Sequence, residues 1–393
     1  MQENVTSSGL HVIAKPIGPA CNLKCDYCFY LEKEKMFPER ENFRMSDEVL
    51  SAFIRQYIDA QPGEEVEFVW QGGEPTMLGI DFFKRVIALQ DRYKKDKIIR
   101  NCLQTNGVLL DNEWCESLKK NDFLVGISLD GPKDVHDLYR RDREGKGSFD
   151  RAMRGLELLK KHNVKFNVLA CVAKGSAKMP LEVYQFLKDN GVQYIQFSAV
   201  VERESVSPRS KVTQWTVDPE SYGDFLIKIF DEWIKNDIGK IFVMNFEWAL
   251  NAWAGRPSPV CIFAKTCGRS LVIEHNGDVY SCDHYVYPQF KLGNVMETSL
   301  NDLAELPVQV SFGEAKSEKL LSSCRLCKYL FACRGECPKR RFARSSYGGE
   351  GAIYLCRGYK KFFRHIDKTM NKIREIISQG RPASDIMSAA FKG

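Results

Sequence analysis

Residues 21–30 read Cys21-Asn22-Leu23-Lys24-Cys25-Asp26-Tyr27-Cys28-Phe29-Tyr30, with three thiols separated by three and then two intervening residues. They follow directly on 11–18, a short apolar run that reads as a strand, which places them at a strand's C-terminal end. Spaced in this way, three thiolates let a short loop wrap a cubane and face three of its irons. A [4Fe–4S] cluster takes four ligands, so one iron would stay open for a small molecule. A zinc ion completed by a distant His or Cys is the other use of such a triad. Purely structural thiols would gain little burial on a solvent-facing loop.

Outward from this loop the chain alternates. Strand-like runs at 11–18, 66–72, 98–105, 124–129, 165–172 and 193–200 are rich in apolar residues, as expected of strands covered on both faces. Amphipathic, helix-like stretches follow at 47–58, 81–94, 112–120, 149–162, 181–190 and 218–236, the last with Asp218 as N-cap and Pro219 at the first helical position. Six β-then-α units predict an α/β fold with a parallel sheet wound in one direction, either a partial barrel or an open sheet. In barrels of this kind chemistry collects at the C-terminal ends of strands.

The pattern changes near residue 237. Runs at 270–274 and 278–282 flank His275-Asn276-Gly277, a hairpin signal. Most of what remains is read as cysteine-punctuated loop, closed by a helix over 352–377 and a loosely ordered tail. A polar linker is expected over 202–216, around Pro208. Eight of the fourteen cysteines fall here: Cys261, Cys267, Cys282, Cys324, Cys327, Cys333, Cys337 and Cys356, enough for two sets of four. Two zinc knots are the alternative to two clusters. Cys102, Cys115 and Cys171 fit no set and read as small buried hydrophobes.

Composition bounds the rest. Hydrophobic residues at 44% and charged residues at 27% are ordinary for a globular protein of two or three domains. A formal charge of +6 over 393 residues is too mild for a dedicated nucleic-acid binder. The N-terminus shows no secretory pattern and no stretch approaches eighteen apolar residues, so no membrane span is expected. So many thiols without an export signal point to metal ligands in a reducing cytoplasm, not to disulfides.

The loop, with an aromatic (Tyr27) before its last cysteine, resembles the radical S-adenosylmethionine (SAM) enzymes. The resemblance implies a partial (β/α)6 TIM-like barrel over 1–237, whose open iron is chelated by SAM. In such enzymes reductive cleavage of SAM yields a radical that takes hydrogen from unactivated carbon. Gln71-Gly72-Gly73-Glu74-Pro75 resembles the family's glycine-rich SAM segment, with Gly73 allowing close approach and Glu74 offering a carboxylate to the SAM ammonium. A plain turn is its other reading. Ser128, Asp130 and Arg140 resemble further SAM contacts, Asp130 being equally a turn-capping residue. Residues 103–107 either line the same cavity or form a polar turn.

The order of the eight later cysteines resembles the SPASM extension of this family, here 238–378 with 379–393 as tail. It implies that Cys261, Cys267, Cys282 and Cys337 hold one auxiliary [4Fe–4S] cluster, and Cys324, Cys327, Cys333 and Cys356 a second. With the loop cluster, that makes three.

Asp283 follows Cys282 directly, in Tyr280-Ser281-Cys282-Asp283-His284-Tyr285. A carboxylate beside a redox centre suits general-base work or the orientation of a cluster ligand. This context, with the first loop and the Gln71 segment, resembles the anaerobic sulfatase-maturating enzymes over nearly the whole chain. The resemblance implies that a Cys or Ser in a sulfatase Cys/Ser-x-Pro-x-Arg segment becomes formylglycine. Hydrogen is abstracted at Cβ, Asp283 acts as base, an auxiliary cluster accepts the electron, and Tyr30 and Gln71 sit by the peptide. It also implies an unfolded sulfatase as substrate, a flavodoxin- or ferredoxin-like electron donor and a monomer. A SPASM maturase forming thioether or carbon–carbon crosslinks is the alternative enzyme. The first strand near residue 11 leaves no room for the N-terminal recognition domain such enzymes often carry. A non-catalytic metal-binding regulatory protein is the alternative outside enzymes. Lys339, Arg340, Arg341 and Arg344 form a local basic patch, read as a solvated face or a site for an acidic partner.

Overall fold

The computed structural model describes residues 9–37, 43–205, 210–344 and 350–389; Pro208, in the expected linker, and residues 390–393 of the tail lie outside them. The strands are β1 (His11–Lys15), β2 (Glu65–Trp70), β3 (Ile98–Thr105), β4 (Leu124–Ser128), β5 (Lys165–Val172), β6 (Tyr194–Ala199), β7 (Phe242–Val243), β8 (Ser270–Glu274), β9 (Asp278–Tyr280) and β10 (Lys291–Asn294). Helices Asp47–Asp59, Ile80–Tyr93, Asn112–Lys120, Phe149–Lys161, Pro180–Asp189 and Pro219–Asn236 follow the first six strands in turn, as the alternation predicts. Local chemistry starts several of them: Ser46 and Asp111 accept the amides of Val49 and Trp114, and Asp218 accepts those of Glu220 and Ser221 ahead of Pro219.

The chain divides into two compact units. The first comprises Met1–Ser128, Arg140–Phe166 and Gly268–Glu314. Its strands run in the order β10-β9-β8-β1-β2-β3-β4. The neighbours from β1 to β4 are parallel and β8 also joins β1 in parallel, His11 opposite Ser270 and Lys15 opposite Glu274. The hairpin β8–β9 turns through Gly277, whose φ of 86° suits a residue without a side chain. Only the hairpin itself is legible in the sequence. That its first strand pairs with β1, some 260 residues earlier, depends on complementary buried edges.

The second unit comprises Leu129–Tyr139, Asn167–Cys267 and Ala315–Gly393. It holds the parallel run β5-β6-β7 and a closing helix, Cys356–Ser378, shorter at its start than expected. Tyr359, Phe362, Phe363, Ile366, Met370, Ile373 and Ile376 recur every three or four residues on that helix's buried side, where its apolar stripe packs against Pro219–Asn236. The expectation of mostly loop after residue 237 needs correcting, because Met244–Trp253, Leu300–Glu305 and Pro307–Glu318 are helical. The helix Met244–Trp253 is apolar on several sides, which blurs the helical period. In the expected loose tail, Ala383–Asp385 and Ile386–Ala389 form short helical turns anchored by buried Ile386. No helix among the described residues is long and apolar enough to cross a membrane.

Candidate active site and thiol centres

In the first unit, β1 ends at Lys15 and a tight turn delivers the cysteine loop, with the Gly18 amide donating to the Lys15 carbonyl (2.9 Å) and that of Ala20 to Ile17 (3.2 Å). The loop is braced from outside. The Lys24 amide donates to the Arg141 carbonyl (2.7 Å), and Arg143 Nε to the Cys21 carbonyl (3.0 Å). Backbone amides are aimed at the sulfurs: Leu23 N lies 3.3 Å from Cys21 Sγ, and the amides of Tyr30 and Leu31 serve Cys28. Burial, and then the charge of Glu74, push the Cys21 thiol up to about 12, and burial raises Cys28 too. Such thiols ionise when a metal takes them as ligands. Soft sulfur donors ringed by amide hydrogens match what an iron–sulfur cluster requires, so the loop fits the group its spacing implies. Among the described residues no three His, Cys, Asp or Glu side chains close on a single-ion site.

The turn after β2 lies directly against this loop. Gly73 donates its amide to Gly18 O (2.8 Å) and Glu74 to Ala20 O (2.9 Å). A Cβ on Gly73 would sit 1.8 Å from the Ala20 carbonyl oxygen, so only glycine allows the two backbones to meet. Glu74 is 1% exposed, and its carboxylate accepts from Thr76 N (3.1 Å), Thr76 Oγ1 (2.6 Å), Thr105 Oγ1 (2.7 Å) and Asn106 N (2.7 Å). Burial raises its pKa while these donors pull it down. Glu74 thus ties the β2 turn to the end of β3. From there Asn106 Nδ2 reaches back to Asn22 (2.8 Å), within the cysteine loop. Ser128 Oγ accepts from Gln104 Nε2 (3.2 Å), and buried Arg140 stacks over the Tyr27 ring at 5.5 Å.

Asp283 meets Lys15 in the same unit. The Lys15 ammonium is 1% exposed, 2.6 Å from Asp283 Oδ1, 3.1 Å from Gln71 Oε1 and 4.4 Å above the centre of the Tyr30 ring. Tyr30 donates its hydroxyl to Glu274, which is fully buried opposite Lys15. Burial, and then the Glu274 charge, push the Tyr30 phenol well above its ordinary value. Asp283, Gln71 and Tyr30, singled out from the sequence, therefore converge on one buried cation. Asn106 belongs to the 103–107 segment already noted in the sequence, whereas Lys15 and Glu274 are additional. Their signal is a charged residue ending an otherwise apolar buried strand, as in Ile13-Ala14-Lys15 and Val272-Ile273-Glu274.

In the second unit, Asp130 is buried and accepts the Cys171 amide at 2.8 Å, beside Gly131. Cys324, Cys327, Cys333 and Cys356 all line one cavity of about 370 Å³. This is the later set of four expected from the sequence, here gathered by the closing helix's first residue and the turns before it. Gly335 donates its amide to Cys333, whose thiol burial raises to about 12. Replacing Cys324 with Ala is expected to cost about four irons per chain, measured by iron analysis after anaerobic reconstitution; unchanged iron would separate Cys324 from this set. Cys261, Cys267 and Cys337 also belong to this unit, where the buried Lys316 ammonium donates to the Cys261 carbonyl and feels the charge of all three thiols.

Of the three remaining cysteines, Cys115 is buried as expected, whereas Cys102 and Cys171 are only partly covered, and Cys102 donates to Glu67 at 3.2 Å. The basic patch divides. Lys339 binds Glu202 (3.1 Å) and Arg340 binds Glu336 (2.9 Å) and Ala199 O (2.8 Å), so these are internal struts, and Arg344 alone of the four is exposed.

Residues 16–187 match the model of the radical SAM superfamily, and 261–328 match that of the SPASM iron–sulfur cluster-binding domain. The chain is 43% identical to a serine-type anaerobic sulfatase-maturating enzyme of Bacteroides thetaiotaomicron, across 98% of this chain and 96% of that protein. It is 33% identical to a cysteine-type enzyme of Clostridium perfringens, across 91% and 96%. A solved structure of anSMEcpe with bound AdoMet and Cp18Cys peptide superposes with a TM-score of 0.84 at 32% identity, covering 94% of this chain and 99% of that one. With a parallel α/β sheet, a three-thiol loop at the end of β1 and a cysteine-rich extension, the chain belongs to the anaerobic sulfatase-maturating enzymes, radical SAM proteins that carry a SPASM domain.

Proposed function

We propose that this chain oxidises a Ser or Cys side chain in a sulfatase Cys/Ser-x-Pro-x-Arg segment to formylglycine. The observation that carries the reading is Asp283 fixed by the buried Lys15 ammonium, in the same unit as the three-thiol loop. When bound, the loop cluster with SAM supplies hydrogen-atom abstraction, and two auxiliary clusters supply a one-electron sink. Loss of one hydrogen atom from Cβ, one proton from the hydroxyl or thiol and one electron leaves a carbonyl or thiocarbonyl, and water converts the latter to the aldehyde with release of hydrogen sulfide.

This chain's residues hold and order that chemistry. Cys21, Cys25 and Cys28 ligate the loop cluster. Tyr27, Gly73, Ser128, Asp130 and Arg140 shape the SAM site, while Glu74 holds the Gly73 turn against Asn106. Asp283 takes the substrate proton. Lys15 pairs with Asp283 while also meeting Gln71 and the Tyr30 ring, so the carboxylate is held in one place. The auxiliary ligands are Cys261, Cys267, Cys282 and Cys337, then Cys324, Cys327, Cys333 and Cys356. A radical SAM domain over 1–237, a SPASM domain over 238–378, a flavodoxin- or ferredoxin-like donor, a monomer and a cytoplasmic setting complete the proposal, on the resemblance of the sequence.

The test is anaerobic incubation with SAM, a reductant and two peptides, one Cys-x-Pro-x-Arg and one Ser-x-Pro-x-Arg, read by mass spectrometry. Aldehyde on either peptide is expected. A thioether or carbon–carbon crosslink in place of aldehyde would select the other class of peptide maturase.

A further inference from the structure

Among the described residues, the second unit contains two cations, Lys316 and Arg341, that form no ion pair with a carboxylate. Lys316, on the helix Pro307–Glu318, is 1% exposed. Its ammonium donates to the carbonyl oxygens of Cys261 and Ile262, the latter at 3.0 Å. Arg341 donates to the carbonyls of Lys316 (2.6 Å), Gly335 (2.8 Å) and Glu336 (3.4 Å). Among the described residues both are held by carbonyls and neither has an ion-pair partner. Their neighbour Arg340 differs, because its guanidinium meets the buried Glu336 carboxylate at 2.9 Å. Glu336 also feels Lys316, so two cations share one carboxylate. A buried charge without a counter-ion of its own costs several kcal/mol, and Lys316 is such a charge while Arg341 is half-buried.

Thiols stand where the missing negative charge should be. Lys316 bears on Cys261, Cys267 and Cys337. Arg341 acts electrostatically on Cys267 and also on Cys324 of the other set. A cubane held by thiolates carries net negative charge that grows by one on reduction. A fixed cation beside it therefore stabilises the reduced form more than the oxidised form and raises the reduction potential.

We propose that Lys316 and Arg341 are built-in counter-charges of the auxiliary centres. Lys316 acts on the centre of Cys261, Cys267 and Cys337, and Arg341 is shared between that centre and the one of Cys324, Cys327, Cys333 and Cys356. They make the first centre a readier acceptor of the substrate electron. The proposal rests on the cluster assignment given above. Both are positioning residues, since neither touches substrate.

The test is an EPR-monitored redox titration of the full, anaerobically reconstituted chain. Lys316→Gln keeps the hydrogen-bond donors and removes the charge. It is expected to make the first centre at least tenfold harder to reduce, about 59 mV for one electron, with the second centre nearly unmoved. Lys316→Arg is expected to restore the wild-type value. Arg341→Gln is expected to lower both potentials. Unchanged potentials in an iron-replete Lys316→Gln chain, or equal shifts of both centres, would overturn the proposal. If Lys316→Gln fails to hold its iron, Arg341→Gln decides, and a shift in neither centre refutes it. A wild-type chain whose iron accounts for no auxiliary centre would instead overturn the cluster assignment itself.

Discussion

Asp283→Asn is expected to leave SAM cleavage intact while peptide oxidation falls by about 10²–10⁴-fold, the usual effect of losing a positioned base. The two activities separate because the thiol loop and the Gly73 turn do not depend on this carboxylate, whereas removal of the substrate proton does. Lys15 complicates the reading: its buried ammonium would lose the partner it meets at 2.6 Å. Breaking a buried pair costs about 3–5 kcal/mol, so the melting temperature should fall as well. A second variant removes that ambiguity. Lys15→Met combined with Asp283→Asn should recover most of the stability and none of the aldehyde. The measurement is 5′-deoxyadenosine by chromatography beside formylglycine by mass spectrometry, and a normal aldehyde yield in Asp283→Asn would reduce this residue to orienting its neighbour Cys282.

Gly73→Ala is expected to abolish SAM cleavage through a single methyl group. The added carbon would lie 1.8 Å from the Ala20 carbonyl oxygen and 2.4 Å from its carbon, and both are backbone atoms of the cysteine loop. Backbone cannot swing aside as a flexible side chain does, so the β2 turn must part from the loop. Separation would break the bonds from Gly73 to Gly18 and from Glu74 to Ala20. Overpacking of this kind costs about 1–3 kcal/mol or more, concentrated where the loop cluster has to sit. About four irons of about twelve should be lost, with the auxiliary centres retained by EPR. A chain holding its full iron and cleaving SAM normally would show that the loop adapts, against the geometry found here.

The legible parts of the site share one property: their spacing is local. Cys21, Cys25 and Cys28 stand within eight residues, and Asp283 adjoins Cys282. Glu74 was harder to read. The sequence offers a carboxylate beside two glycines, and only the fold reveals four donors converging on it from Thr76, Thr105 and Asn106. Lys339 and Arg340 look like a solvated patch in the sequence, and their partners Glu202 and Ala199 lie well over a hundred residues away. The helices after residue 237 were missed because Met244–Trp253 is apolar on several sides and Pro307–Glu318 carries little contrast between faces.

By itself the sequence determined the alternating α/β order and the three-thiol loop at the end of β1, because short-range periodicity and ligand spacing encode both, while the division of the later cysteines into sets and the choice of Asp283 as candidate base came from resemblance to the family. Only the tertiary structure decided what surrounds them. Parallel pairing of β8 with β1 brings Glu274 opposite Lys15, and the chain beyond that hairpin returns Asp283 to the ammonium. The folded second unit likewise gathers Cys324, Cys327, Cys333 and Cys356 around one cavity. These contacts join residues up to some 270 positions apart. They form when buried surfaces of distant segments fit together, which the spacing of residues along the chain does not record.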